Sequence, residues 1–232
     1  MTRTHWFTAL ALLAASPTLA QASQENPEQV ARSAKLGKAL AAINSNKPAD
    51  AIAILDPLLA DYEKLYAAEK GRIFCAHNPK QTILYASDAD AAGMGSTVLG
   101  PDWCTALWAR GFALIDLKQV DAAIPFLKRA VALSPAHAHY LSELAYAYQV
   151  QRKWQLSYDI FQRAAAGAML EEDEQRKKSL RRAWFGMGYD LIELGRLEEA
   201  EKMLSLCLEL TPDDQKIRNE LQYVRDQRKK KS

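Results

Sequence analysis

The sequence carries few of the residues and none of the motifs that catalytic sites usually need. Its 232 residues include four histidines and three cysteines, and no Cys/His or Ser/His/Asp set stands in a usable setting. There is no HExxH pair, and Gly93-Met94-Gly95 is too short and lacks the preceding strand that a nucleotide-binding glycine loop requires. We therefore expect no catalytic residues and no cofactor.

Metal-ligating residues are equally sparse. Cys75-x-His77 and His137-x-His139 each place two potential ligands two residues apart, but a transition-metal site needs three or four ligands held together. We expect no metal site. His137 is expected in the turn after Pro135, and His139 on the exposed or groove side of the helix that follows.

The chain lacks both a strong charge of one sign and a long apolar run. Its 30 Lys and Arg residues nearly balance 28 Asp and Glu residues, which gives no reason to expect a nucleic-acid partner. The apolar run from Phe7 to Ala15 is far shorter than the roughly 18 to 20 residues of a membrane span. The basic run from Arg228 to Lys231 is typical of a solvated terminus, and contact with anionic lipid or polysaccharide is the alternative.

Residues 1–22 have the features of a secretory signal peptide. Arg3 precedes the short apolar run, and Ala20-Gln21-Ala22 supplies a small-x-small cleavage pattern before Ser23. A membrane anchor is the alternative, although the run is short for one. We expect a soluble mature protein that is periplasmic or secreted.

A pattern of small and bulky residues recurs three times in the remaining chain. The first two copies are about 34 residues apart, and about nine extra residues precede the third. Small residues allow paired helices to approach closely, and bulky residues at i, i+3, i+4 and i+7 form one buried stripe. The recurring positions are Leu107, Gly111, Leu114, Ala123, Leu127, Ala130 and Pro135; Leu141, Ala145, Tyr148, Ser157, Phe161, Ala164 and Met169; and Trp184, Gly188, Leu191, Ala200, Leu204, Cys207 and Pro212.

This pattern resembles the tetratricopeptide repeat family, whose repeats run W-x2-L-G-x2-Y, A-x3-F and P with a period of about 34 residues. The resemblance implies an all-α fold, a right-handed α-α superhelix of helix-turn-helix repeats over 104–137, 138–171 and 181–214. The second repeat departs from the family at Ser157 and Met169, where Ala and Pro are usual. Gly195 is expected to end a helix in the left-handed conformation.

The two ends of the superhelix are expected to differ from the regular repeats. Residues 23–70 are predicted to form N-terminal helices with a degenerate repeat, because Ala39, Ala51, Leu55 and Leu58 fit the spacing. A polar capping helix with a basic tail is predicted over 215–232, since the last repeat would otherwise expose its apolar face.

Residues 71–103 break the pattern. The stretch is rich in Gly and Pro, and we predict an irregular insertion with a short helix from Gln81 to Ala92. Cys75 and Cys104 bracket it and are the natural disulfide pair in an oxidising compartment, with two free thiols as the alternative. Cys207 occupies a position that the repeat fills with a small apolar residue, so we expect it to be buried.

The resemblance also implies a binding role. In that family the first helices line a concave groove, and fixed positions past the start of each repeat face it. The candidate groove residues are mostly aromatic, although some could instead belong to the packing between helices. They are Trp108, Phe112, His139, Tyr146, Arg182, Phe185 and Tyr189. The Lys and Asn residues with which the family clamps a terminal carboxylate are absent.

We therefore predict a non-catalytic adaptor or scaffold of the bacterial cell envelope, which holds a peptide or helix of a partner protein, for example in a secretion, export or surface-assembly system. Two alternatives stay open. One is a structural subunit that docks through its outer faces. The other is an enzyme or carbohydrate-binding protein whose site lies in the insertion between Cys75 and Cys104. The oligomeric state is open.

Overall fold

The computed structural model describes residues 26–91, 93 and 95–231, which form ten helices and a two-stranded sheet. The predicted signal peptide lies outside the described residues. The elements in chain order are α1 (Pro27–Asn44), α2 (Pro48–Leu65), β1 (Arg72–Cys75), α3 (Pro79–Ala91), β2 (Ser96–Leu99), α4 (Asp102–Asp116), α5 (Val120–Leu133), α6 (Ala138–Val150), α7 (Trp154–Ala168), α8 (Asp173–Glu193), α9 (Leu197–Leu210) and α10 (Gln215–Lys231). No helix in this described part is long and apolar enough to span a membrane.

The helices pack as successive pairs, α1 with α2, α4 with α5, α6 with α7, and α8 with α9. Small residues lie where the paired helices meet: a Cβ atom on Gly111 would come within 2.6 Å of Leu127 Cγ, and one on Gly188 within 3.0 Å of Leu204 Cγ. Each pair buries its bulky stripe against the next, so that the core continues along the stack. The architecture is the all-α superhelix that the sequence pattern predicts.

The turn within each helix pair contains one residue in the left-handed conformation. Gly195 has a φ of 73°, as predicted, and Asn46, Lys118 and Arg152 occupy the same place in the other pairs with φ of 56°, 63° and 57°. The following backbone N–H donates back to a carbonyl of the preceding helix, for example Gln119 N to Leu114 O at 2.8 Å. This pattern satisfies carbonyl groups that the helix end leaves unpaired.

Helix α10 closes the C-terminal end of the stack. Ile217, Leu221 and Val224 are buried against α9 and the end of α8. The side chain of Asp214 caps the start of α10 by accepting hydrogen bonds from the backbone N–H groups of Lys216 and Ile217, at 3.1 and 3.2 Å. The last repeat therefore does not expose its apolar face.

The insertion is more regular than expected. Its helix α3 lies close to the predicted bounds, but β1 and β2 pair in parallel on either side of it, and the sequence analysis did not predict this sheet. Cys75, at the end of β1, is joined by a disulfide to Cys104, with a Cα–Cα distance of 6.2 Å. Helix α2 packs directly against α4. The insertion therefore loops out beside the stack without interrupting it.

The extra residues before the third repeat also have a defined place. Helix α8 begins at Asp173 and runs 21 residues, longer than every other first helix after the insertion. The added residues, 172–180, thus extend α8 at its N-terminal end. This extension reaches the insertion, where Lys80 Nζ lies 3.4 Å from Glu172 Oε1.

Candidate functional site

A cavity of about 350 Å³ lies where α6 and α8 meet the starts of α7 and α10. We call it the aromatic groove. Four of the predicted groove residues line it, namely Tyr146, Arg182, Phe185 and Tyr189. Its full lining is Tyr146, Gln149, Val150, Trp154, Phe161, Arg182, Phe185, Gly186, Tyr189 and Lys216.

The walls of the aromatic groove are apolar and exposed. Tyr146 is 43% exposed, Val150 49% and Tyr189 39%. The Trp154 ring stands edge-on to the Tyr189 ring, with 6.0 Å between the ring centroids. One cation lies at the rim, where Lys216 Nζ is 4.9 Å from the centroid of the Phe185 ring. Aromatic walls of this kind offer large and rigid contact area to a ligand.

A polar pair supports the groove from below. Gln149 Nε2 donates to Gly186 O at 3.1 Å and to Asp190 Oδ1 at 3.0 Å, so both amide hydrogens of Gln149 are used within the protein. Its carbonyl oxygen is then the group that Gln149 can offer to a ligand, as an acceptor. Asp190 is fully buried, and this burial raises the pKa of Asp190 to about 7 against the lowering effect of Ser157 and Gln149.

The other three predicted groove residues do not line this cavity. Trp108 is half-buried and packs 5.6 Å from Phe112 and 4.8 Å from His139, measured between ring centroids. His139 contributes indirectly, because its Nδ1 accepts a hydrogen bond from Arg182 Nη1 at 3.2 Å. Arg182 Nη2 also donates to buried Glu143 at 2.7 Å. Arg182 is thereby held in one orientation at the groove.

The sequence analysis missed six of the groove-lining residues, namely Gln149, Val150, Trp154, Phe161, Gly186 and Lys216. Val150 and Trp154 flank the turn between α6 and α7, and Lys216 comes from the capping helix α10. The family pattern names only fixed positions on each first helix, so it carries no signal for other positions of α6 and α8 or for residues of α7 and α10. Two large apolar residues on either side of a polar turn were the only available hint.

A second cavity, of about 250 Å³, lies between the insertion, the start of α6 and the extended end of α8. We call it the histidine cavity. Its lining is His77, Asn78, Gln81, His137, His139, Glu171, Glu172 and Gln175. The His77 and His137 rings are 3.9 Å apart between centroids. Burial lowers the pKa of His77 and of His139 to about 4, and it lowers that of His137 as well.

The described residues contain no group of three or more side chains placed to hold a metal ion. The histidine cavity brings three imidazoles together, including both residues of the His137-x-His139 pair. It does not include Cys75, which lies in the disulfide. The cavity thus combines three imidazoles of lowered pKa with two carboxyl groups, those of Glu171 and Glu172.

The tetratricopeptide repeat family matches the chain at residues 105–137 and 182–214. MamA from Desulfovibrio magneticus RS-1 is similar in structure, with a TM-score of 0.57 at 13% identity over 85% of each chain. MamA of MSR-1 gives 0.54 at 16% identity, over 85% of this chain and 87% of that one. The first repeat domain of Spaghetti (RPAP3), bound to an HSP90 peptide, gives 0.47 at 23% identity, over 53% of this chain and 90% of that one. No curated protein sequence matches the chain significantly.

Proposed function

We propose that this tetratricopeptide repeat protein is a non-catalytic adaptor that holds a peptide or helical segment of a partner protein in the aromatic groove. One observation carries the proposal: Tyr146, Val150 and Tyr189 are all exposed in the folded chain and surround one cavity. Large apolar side chains gathered around a concave site are typical of binding surfaces.

The groove offers distinct contacts to such a segment. A bulky apolar side chain of the partner would fill the space between Tyr146, Trp154 and Tyr189. The carbonyl oxygen of Gln149 would accept a hydrogen bond from a backbone N–H of the partner. Arg182 is already held by Glu143 and His139, so binding would not require it to become ordered.

The proposal is tested by replacing the two most exposed tyrosines of the groove together. We expect Tyr146→Ala with Tyr189→Ala to weaken capture of the partner from envelope extract by about thirtyfold, or about 2 kcal/mol, because binding energy concentrates in a few aromatic residues of an interface. Trp108 is less suitable for this test, because it packs against Tyr140 and Phe112 and its loss would also destabilise the fold.

Tyr223→Ala is the matched control. Tyr223 is 49% exposed but lies on α10 and does not line the groove. A double groove variant that keeps its circular dichroism spectrum and captures the same proteins with unchanged affinity would contradict the proposal. Loss of capture on Tyr223→Ala alone would instead favour a structural subunit that docks through its outer faces.

We further propose that the protein acts in the bacterial cell envelope, in a secretion, export or surface-assembly system. The leader pattern in residues 1–22 and a disulfide suited to an oxidising compartment support this proposal. N-terminal sequencing of the protein from its source cells is expected to begin at Ser23. Protein that retains Met1 and is recovered from the cytoplasm would contradict it.

A further inference from the structure

The histidine cavity gathers buried polar atoms that lack a partner. Among the described residues, Nε2 of His77, Nε2 of Gln81 and Oε2 of Glu171 have no hydrogen-bond partner. Burial raises the pKa of the Glu171 carboxyl, and nearby Ser179 opposes this rise. All three residues line the cavity. Gln81 is fully buried, and its Oε1 already accepts from the backbone N–H of His77 at 2.9 Å. Buried polar atoms left unpaired require a complement from water or a ligand.

Hydrogen bonds to the two neighbouring imidazoles determine which ring nitrogens carry hydrogen. His137 Nδ1 accepts from the backbone N–H of Tyr140 at 3.4 Å, and His139 Nδ1 accepts from Arg182 Nη1 at 3.2 Å, because a guanidinium can only donate. In the neutral rings, hydrogen is therefore on Nε2 of both. Neither ring has a free lone pair for a metal, which needs three or four such ligands.

The groups around the cavity do not suit an ion of either sign. Glu171 and Glu172 would repel an anion, and Lys80, whose Nζ lies 3.4 Å from Glu172 Oε1, offsets part of the attraction of these carboxylates for a cation. A cation would also face donors, namely the unpaired amide of Gln81 and the Nε2–H groups of His137 and His139. The cavity thus offers donors and acceptors side by side. A hydroxyl group can both donate and accept, so it suits this mixture without carrying a charge.

The cavity also lies where the two departures from the regular repeat meet. His77 and Gln81 belong to the insertion, and Glu171 immediately precedes the added residues that extend α8. The stack is continuous without the insertion, because α2 packs directly on α4. We propose that these segments build a second binding site, independent of the aromatic groove, for a small neutral polyol such as a single sugar ring.

Three size-matched sugars that differ in charge test this proposal. Glucose, glucuronate and glucosamine are titrated into the full mature protein at millimolar concentrations, and the imidazole C–H resonances of His77, His137 and His139 are followed by NMR. We expect glucose to shift them and to bind at least about tenfold more tightly than either charged analogue. Gln81→Leu should weaken glucose binding about threefold to tenfold.

Two further variants keep the test decisive. Glu171→Gln preserves shape and should also weaken glucose binding, which covers the case in which Gln81→Leu does not fold. Tyr146→Ala in the aromatic groove should bind glucose with the affinity of the parent. A failure of the proposed function can therefore be distinguished from a failure of this second site. No histidine shift with glucose would mean that the cavity holds only water and would overturn the proposal. Tighter binding of glucuronate than of glucose would also overturn the proposal, as would a shift of the histidine resonances with zinc ions alone.

Discussion

Among single residues, Asp190 is a buried acid whose charge is costly to bury. The folded state raises the pKa of its carboxyl from 3.8 to about 7, so the folded protein holds this proton more tightly than the unfolded chain. The stability that this residue contributes is therefore present at acidic pH and is lost progressively as the pH rises from about 4 to about 7.

Asp190→Asn should reveal this cost. The amide oxygen can still accept from Gln149, and no charge is buried, so we expect the variant to be about 1 to 3 kcal/mol more stable than the parent at pH 8. At pH 4 the difference should largely disappear. Urea unfolding at both pH values measures it. An equal advantage at pH 4 and pH 8 would show that charge burial is not the cause.

Three Gly→Ala substitutions should have different effects because the space around each glycine differs. A Cβ atom on Gly186 would overlap the Phe161 ring, one on Gly188 would meet Leu204 Cγ at 3.0 Å, and one on Gly37 would meet nothing within 4 Å. We expect Gly186→Ala to destabilise by about 1 to 3 kcal/mol, Gly188→Ala by less, and Gly37→Ala to stabilise by about 0.5 to 1 kcal/mol. Thermal unfolding gives the order, and a different order would contradict the packing.

At the scale of the elements, two turns within the helix pairs hold a non-glycine residue in a strained backbone conformation that glycine would relieve. Lys118 and Arg152 adopt the left-handed conformation that Gly195 adopts without a Cβ atom. Lys118→Gly and Arg152→Gly should each stabilise the protein by about 0.5 to 1 kcal/mol, since the gain in backbone conformation exceeds the entropy cost of glycine. Gly195→Ala, which meets no other atom within 4 Å, should lower the melting temperature. If Gly195→Ala and the two substitutions to glycine changed the stability in the same direction, this explanation would be wrong.

The disulfide should hold the insertion more than the stack. In the chain-entropy model, closing a loop of 29 residues contributes about 3 to 4 kcal/mol, so Cys75→Ala with Cys104→Ala should lower stability by about that amount. Hydrogen exchange should show lost protection in β1, α3 and β2 first. Buried Cys207, whose thiol pKa burial raises to about 12, should resist alkylation in the native protein. Non-reducing peptide mapping that finds Cys75 free would contradict the bridge.

The elements differ in how far their sequence specifies them. Repeats could be predicted because small residues such as Gly111 and Gly188 mark each helix crossing at a fixed period. The sheet could not, because β1 and β2 are four residues each and pair across a helix. Four groove residues on the first helices, Tyr146, Arg182, Phe185 and Tyr189, followed from the family pattern. Trp154 and Lys216 did not, because their place depends on how α7 and α10 pack.

For the whole molecule, the histidine cavity should govern the response to acid. His77 and His139 have their pKa lowered to about 4, so between about pH 6.5 and pH 4 the unfolded chain binds protons that the folded chain excludes. Stability therefore falls as the pH falls through this window, by at most about 1.4 kcal/mol per pH unit for each histidine. His139 contributes less, because its side chain is more than a third exposed.

His77→Phe keeps a ring against His137 and should reduce this acid sensitivity. Urea unfolding at pH 7 and pH 4.5 measures it for both proteins, with Asp190→Asn as the common background because Asp190 acts in the opposite direction. The variant should lose less stability than the parent on acidification. Equal losses would mean that other groups control the response.

Because α2 packs directly against α4, the insertion lies beside the stack. This arrangement has a mechanical consequence. If the molecule were pulled by its ends, the helix pairs would separate, but the disulfide would carry the load past the segment between Cys75 and Cys104, which are separated by 29 positions in the sequence. Reduction would release that segment as extra chain, with a contour length of roughly 100 Å at about 3.3 to 3.6 Å per residue. The redox state of a single bond thus determines how far this protein can stretch.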